Sequence, residues 1–435
     1  MKRIVVLMAA VALCLSIKAQ QTAREEIAEN RYLSGSNYLD YDRHPATKPL
    51  TRTPKGYEPF YMSHYGRHGS RWLIGKRDYS RVADVLQKAE SQGKLTDKGC
   101  ETLEKLHRFM PTTIKRFGDL TTVGERQHHG IGRRMAEHFP EIFKAKNVPI
   151  DARSTVVPRC ILSMMAECEE LMAANPTARI HNDVSESLQY YLNQPWDGRV
   201  KEQSKRMKWE TKRAYQERMT QPSRLMQLLF NDQQWVSDSV NQVNLMYDLF
   251  EVAANMQSHD TDIELFSLFT DDEVYRQWCI RNWGWYLDYG AAPQTGGIMP
   301  FSQRNLLRNI IETADTVLGS SAARAHVQAT LRFGHEVCVM PLACLLELDS
   351  CGISVESPDS LDRYWRNYNI FPMACNIQLV FYRPTKGREG DVLVKALLNE
   401  RETTLPVATK QWPYYRWADL RRYYTEKLRK FEEEK

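Results

Sequence analysis

The chain has 435 residues, 42% apolar, 26% charged and 10% aromatic, with a formal charge of +5. That apolar share supports a sizeable core and excludes a disordered chain. Ordinary glycine and proline use (21 and 19) excludes a collagen-like chain, and no repeat with a period of about 20–50 residues argues for a solenoid or propeller.

The first segment, MKRIVVLMAAVALCLSIKAQ, has a basic start (Lys2, Arg3), an apolar run from Ile4 to Ile17 and a small-residue cleavage site at Ala19. It reads as a secretory signal peptide over residues 1–19, and a periplasmic or secreted location is expected. The run is short of the roughly 20 residues that span a bilayer. Lipid attachment at Cys14 is an alternative that Leu13 before it disfavours. Removing Lys2, Arg3 and Lys18 takes Lys plus Arg from 59 to 56 against 54 acids, a balance of +2. So small a surplus gives no argument for nucleic acid. No later stretch is long and apolar enough to span a membrane. Of nine cysteines, all but Cys14 remain. An even count in an exported chain permits disulfides, and buried thiols fit equally well.

Along the chain, Tyr57–His64 reads as a strand running into Arg67-His68-Gly69-Ser70-Arg71. Helices are expected over Ser80–Gln92 and Thr96–Phe117. Thr122 and Glu125 have capping-box spacing before a helix that ends near His138. Val148–Ala152 reads as a second strand and is followed by a loop and a long helix. Residues 185–325 turn polar, Trp-rich and helical. Strand character returns in Ala325–Phe333, then His335-Glu336 and a helix to Leu348. Asn376–Arg383 and Val392–Leu398 read as a β-hairpin, and Trp417–Lys435 as a charged helix. The expected fold is α/β: a Rossmann-like, mainly parallel sheet flanked by helices. The expected units are 20–184 and 326–435 as the two parts of the α/β core, with 185–325 as a helical insertion domain.

Residues 67–71 hold two arginines and a histidine where a strand ends. Side chains at the carboxyl end of a strand in such a sheet point into a crevice. Arginine matches phosphate bidentately, and the positive field favours a neutral, nucleophilic imidazole. The residue types alone also fit a solvated basic loop.

Four ordered stretches resemble the histidine acid phosphatases, branch 2 of the histidine phosphatase superfamily. RHGSR is similar to their RHGxR signature. GDLTTVGERQHHGIGRRM is similar to LTxxGxxQxxxLG, with Leu120, Thr121, Gly124, Gln127 and Gly132 in place. ARSTVVPRCILSM resembles an RxT/SxxxRxxxSA stretch, with Arg153, Thr155, Arg159 and Ser163 in place. LRFGHEVCVMPL resembles the HD or HAE stretch. The segments RFGH and VLVKALLNERETTLP look most like the multiple inositol polyphosphate phosphatase and bacterial phytase group.

This resemblance implies a metal-free, cofactor-free phosphomonoesterase that works through phosphohistidine on a small phosphate ester, inositol polyphosphates such as phytate above all. His68 resembles the nucleophile. Arg67, Arg71 and Arg153 resemble a clamp on the transferred phosphoryl group. His335 resembles the second, phosphate-binding histidine. Glu336 stands where the acid phosphatases carry the Asp that protonates the leaving oxygen. Two features depart from the pattern. No Ala separates His335 from Glu336, and Trp72-Leu73 replace the usual residues after the signature.

Lys76 and Arg77 are candidates for outer-phosphate contacts. Arg159 is read as a structural ion-pairing residue, and His128 and His129 as solvated helix residues. Trp278, Trp283 and Trp285 are read as core, Asn182-Asp183 as a helix cap, and the Lys201–Arg213 run as a solvated face or a lid. A broad acid or sugar-phosphate phosphatase, and a non-catalytic anion-binding protein of the same fold, are the alternatives.

Overall fold

The computed structural model describes residues 21–43, 48–194, 198–206, 208–319 and 327–434. The proposed leader therefore lies outside the described residues.

One mixed sheet organises the chain. Its strands are β1 (Tyr57–Arg67), β2 (Pro149–Ser154), β3 (Arg179–Val184), β4 (Ala329–Gly334), β5 (Asn376–Pro384), β6 (Leu393–Leu398), β7 (Arg401–Thr403) and β8 (Tyr415–Arg416). The order is β3-β2-β4-β1-β5-β6-β7, with β8 on β6. The first four strands are mutually parallel, and β5 turns antiparallel to β1. The expected hairpin is present as antiparallel β5–β6.

Period-two alternation assigns the two faces of the sheet. Tyr61, Tyr65, Ile377, Leu379 and Phe381 enter one apolar core. Met62, Leu331, Phe333, Val380 and Tyr382 enter the other. β3 was not expected, and Asn182-Asp183 lie within it rather than capping a helix. It is an edge strand with four of its six residues exposed (pattern eieeie). Without a buried face, RIHNDV carries no apolar alternation to read.

Helices α1 (Lys76–Ser91), α2 (Asp97–Phe109), α3 (Thr122–His138) and α4 (Pro158–Ala174) follow the expected pattern. α2 stops at Phe109, eight residues short of the predicted end, where Pro111 lies in a separate 3-10 turn, Met110–Thr113. Between β3 and β4 the described segment is helical and includes α5 (Lys208–Met219), α6 (Gln242–Asn255), α7 (Asp271–Tyr289) and α8 (Arg304–Gly319). α6 packs on α1, and its Leu249 and Phe250 share an apolar core with Val82 and Leu86 of α1. Trp278 and Trp283 of α7 are fully buried, as expected. Each removes roughly 150–250 Å² from water and anchors the helical segment. α9 (Glu336–Leu345) and α10 (Trp417–Glu433) complete the elements used below. All eight described cysteines are free, and only Cys100 is exposed. Among the described residues no helix is long and apolar enough to cross a membrane.

Candidate active site

Parallel pairing of β1 with β4 sets Arg67 opposite Gly334. The two strands therefore deliver His68 and His335 side by side at their carboxyl ends, where open α/β sheets bind ligands. The imidazole rings sit edge to face, 5.6 Å apart at 72°. His335 caps α9, and Glu336 is that helix's first residue.

The loop that carries His68 is held through its backbone by the family-like stretches. Ser163 Oγ accepts from Gly69 N at 3.1 Å, and Gln127 Oε1 accepts from Ser70 N at 2.9 Å. Thr121 donates its hydroxyl to Ser70 O at 3.0 Å and accepts from Gly124 N at 3.1 Å. Gly69 lies against Gly124. A Cβ on Gly69 would meet Gly124 O at 2.3 Å and its Cα at 2.6 Å. Both obstacles are backbone and cannot rotate away. Gly69→Ala is therefore expected to cost about 1–3 kcal/mol or more and to displace the loop, lowering Tm and activity together in thermal melts and phosphate-release assays.

His68 is buried. Its Nδ1 lies 2.8 Å from Gly69 O. A carbonyl only accepts, so Nδ1 carries a proton, and Nε2 faces the cluster. Burial, with the Arg67 and Arg159 guanidiniums, holds the imidazole well below its ordinary pKa, against an opposing pull from Glu336. His335 is lowered to about 4, first by burial and then by the arginines, again against Glu336.

Arg67 Nη1 donates to Asn37 O (2.6 Å), Pro372 O (3.1 Å) and Phe371 O (3.3 Å). Those bonds lock the guanidinium and aim its Nε at Glu336 Oε2, 3.1 Å away. Arg71 Nη1 donates to Trp72 O at 2.9 Å, and its Nη2 lies 3.9 Å from Glu336 Oε1. Glu336 Oε2 is also 3.6 Å from His68 Nε2. Burial alone would raise the Glu336 carboxyl. Arg67, His68 and Arg71 outweigh it and hold the group well below the usual carboxylate range. It is an anion here.

Arg153 does not join this cluster. Its Nη2 is 2.6 Å from Asp151 Oδ2 and its Nη1 donates to Tyr191 OH at 3.0 Å. The third guanidinium is that of Arg159, whose field reaches His68 and His335. Arg159 is itself lowered by burial and by Arg71 and Arg67. The reading of these two arginines is thus reversed. Arg153 points from β2 into its own ion pair, whereas Arg159 stands in the first turn of α4 and donates to Gly118 O at 3.2 Å. Among the described residues, Arg67 Nη2, Arg71 Nε, Arg159 Nε and His68 Nε2 have no hydrogen-bond partner within the protein. Buried donors from three arginines beside the Nε2 lone pair of His68 define an anion site.

His128 is buried, not solvated. Its Nδ1 is 3.0 Å from Glu167 Oε2 and its Nε2 is 3.1 Å from Arg67 O. The ring thus braces the backbone of Arg67 from behind. Asn255 does the same for Arg71, donating to its carbonyl at 3.0 Å. Lys76 and Arg77 are exposed in the first turn of α1, outside the cavity described next.

A cavity of about 390 Å³ opens above Arg71 and Glu336 and is walled by the helical segment. The cations that line it with Arg71 are Lys212 and Arg281. Trp285, expected in the core, is half-buried on this wall.

His68, His335 and Glu336 also form the one trio, among the described residues, whose ligand atoms all lie within 4.8 Å of one another. A cation there would face Arg67, Arg71 and Arg159, so the surroundings favour an anion.

Three histidines, His64 and His335 buried and His259 half-buried, make stability pH-dependent. His64, His259 and His335 are each lowered from 6.5 to about 4, chiefly by burial. The unfolded chain binds their protons first, so their contribution is complete above pH 6.5 and is lost as pH falls toward 4. Stability is expected to drop by roughly 1.4 kcal/mol per pH unit per histidine in that window. Thermal melts from pH 7 to 4 check it.

This site and fold are those of a histidine phosphatase. The sequence profile of the histidine phosphatase superfamily (branch 2) matches residues 66–399, and the chain belongs to that family and is a phosphomonoester hydrolase. The Bifidobacterium longum multiple inositol polyphosphate phosphatase, solved with inositol hexasulfate, superposes with a TM-score of 0.66 at 18% identity, covering 90% of this chain and 96% of that one. The D. castellii phytase gives 0.65 at 14% identity over 92% and 85%. The Hafnia alvei phytase, solved with tartrate, gives 0.54 at 11% over 86% and 98%. A sequence search of curated proteins returned no significant match.

Proposed function

We propose that the protein is an exported phosphatase that hydrolyses inositol polyphosphates through a phosphohistidine on His68. One observation carries this reading. The Nδ1–H of His68 is tied to Gly69 O, which leaves Nε2 as the attacking atom amid three guanidiniums and 3.6 Å from Glu336. The leader-like residues 1–19 support export.

In this mechanism the ester phosphate takes the arginine donors. Arg67, Arg71 and Arg159 neutralise its equatorial oxygens, and His335 donates to one of them. The arriving dianion displaces the Glu336 carboxylate from the guanidiniums, and its negative charge makes the carboxyl take up a proton. His68 Nε2 attacks phosphorus in line, the P–O ester bond breaks, and Glu336 gives its proton to the leaving alkoxide. Water then attacks the phosphohistidine and yields its proton to Glu336. The P–N bond breaks, freeing phosphate and His68.

The test is phosphate release from inositol phosphates and from an aryl phosphate, with EDTA present. Turnover of both, unaffected by the chelator, is the expected result. Turnover of the aryl ester alone would exclude inositol phosphates as substrates. Loss of activity to EDTA would exclude the metal-free mechanism.

A further inference from the structure

The walls of the cavity above Arg71 do not suit a uniformly anionic ligand. Two acids, Asp288 and Glu251, line that wall together with Lys212 and Arg281. Lys212 Nζ is 2.5 Å from Asp288 Oδ2. Arg281 shares the wall with Glu251, which accepts from Tyr38 OH at 2.9 Å. Arg281 is occupied as well, donating to Tyr247 O at 3.1 Å and lying over the Tyr247 ring at 4.1 Å. A wall built to hold several outer phosphates carries a surplus of positive charge. In this one, Lys212 and Arg281 are balanced by Asp288 and Glu251.

Ionised carboxylates only accept hydrogen bonds. They repel phosphate oxygens and receive hydroxyl protons well. Trp285, whose ring lies against Tyr289 and Phe371, adds an aromatic edge to the wall. Carboxylates, tyrosine hydroxyls and an aromatic edge together recognise a polyol.

Resting on the inositol phosphate reading above, we propose that this cavity selects a partly phosphorylated ring. The scissile phosphate sits on the arginines, and free ring hydroxyls face Glu251 and Asp288. A fully phosphorylated ring, which has no hydroxyl to donate, is the poorer substrate. A phosphate in place of a hydroxyl meets these carboxylates with no proton to donate, and the two anions repel.

The test compares kcat/KM for inositol trisphosphate and inositol hexakisphosphate in the wild type, Glu251→Gln and Asp288→Asn, with an aryl phosphate alongside. The wild type is expected to favour the trisphosphate by about tenfold or more. Each variant is expected to narrow that ratio several-fold by improving turnover of the hexakisphosphate. The ratio is internal to each variant, so partial misfolding does not move it, and the two variants lie on different helices. A wild-type preference for the hexakisphosphate, or a ratio unmoved in both variants, would overturn this proposal alone. Hydrolysis of the aryl ester with no turnover of either inositol phosphate would overturn the inositol reading with it.

Discussion

His68→Ala is expected to lower kcat/KM on an aryl phosphate by ~10⁴–10⁶-fold, the scale at which removing a covalent nucleophile acts. The substitution deletes the Nε2 that faces Glu336 and the Nδ1 proton held by Gly69 O. Arg67 keeps its three carbonyl anchors, and Arg159 keeps its bond to Gly118 O. The anion site therefore survives. Inorganic phosphate is expected to protect the variant against thermal unfolding about as well as it protects the wild type. That second readout separates lost chemistry from a lost fold. A variant that retains turnover within about tenfold would remove His68 from the reaction.

The second large effect distinguishes two arginines six residues apart on the chain. Arg159→Ala is expected to cost about 10³-fold in kcat/KM, the order seen when a guanidinium that stabilises a transferring phosphoryl group is absent. Arg153→Ala is expected to cost less than about tenfold and roughly 1 kcal/mol of stability through its lost ion pair with Asp151. Arg153 stands on β2, its guanidinium held by Asp151 and Tyr191. Among the described residues the buried Arg159 Nε has no hydrogen-bond partner, and the Arg159 charge acts on both histidines. Measuring both variants with one substrate is decisive. The opposite ranking would return Arg153 to the clamp.

The same pair shows how far the sequence could be read. Arg67, His68 and Arg71 lie within five residues, so their convergence needed only one strand end. His335 and Glu336 were legible because the short stretch RFGHE closes a strand. Choosing between Arg153 and Arg159 required knowing where β2 ends and α4 begins. The residue in the strand pairs with Asp151 on the same strand and with Tyr191, and the one in the first helical turn faces the site. His128 was misread for a similar reason. It looks polar on an amphipathic helix until α4 brings Glu167 against it and β1 brings the Arg67 carbonyl. Lys76 and Arg77 follow the signature closely in sequence, but α1 carries them outward. Lys212 and Arg281 reach the cavity only because the helical segment folds back over the sheet. Contacts of such sequence separation leave no local pattern. Strands β1, β2 and β4 were legible from their alternation with helices, whereas β3 is largely exposed and β7 has only three residues, too few to show a pattern.

The most direct measurement is to trap the covalent intermediate. The enzyme is mixed with excess substrate, quenched in alkali within milliseconds to preserve a phosphoramidate, digested and mapped for phosphorylated peptides. The phosphoryl group is predicted on the peptide carrying His68, to appear in a burst before steady turnover and to be absent from His68→Ala. Turnover without any labelled peptide, or a label on His335 instead, would contradict the account.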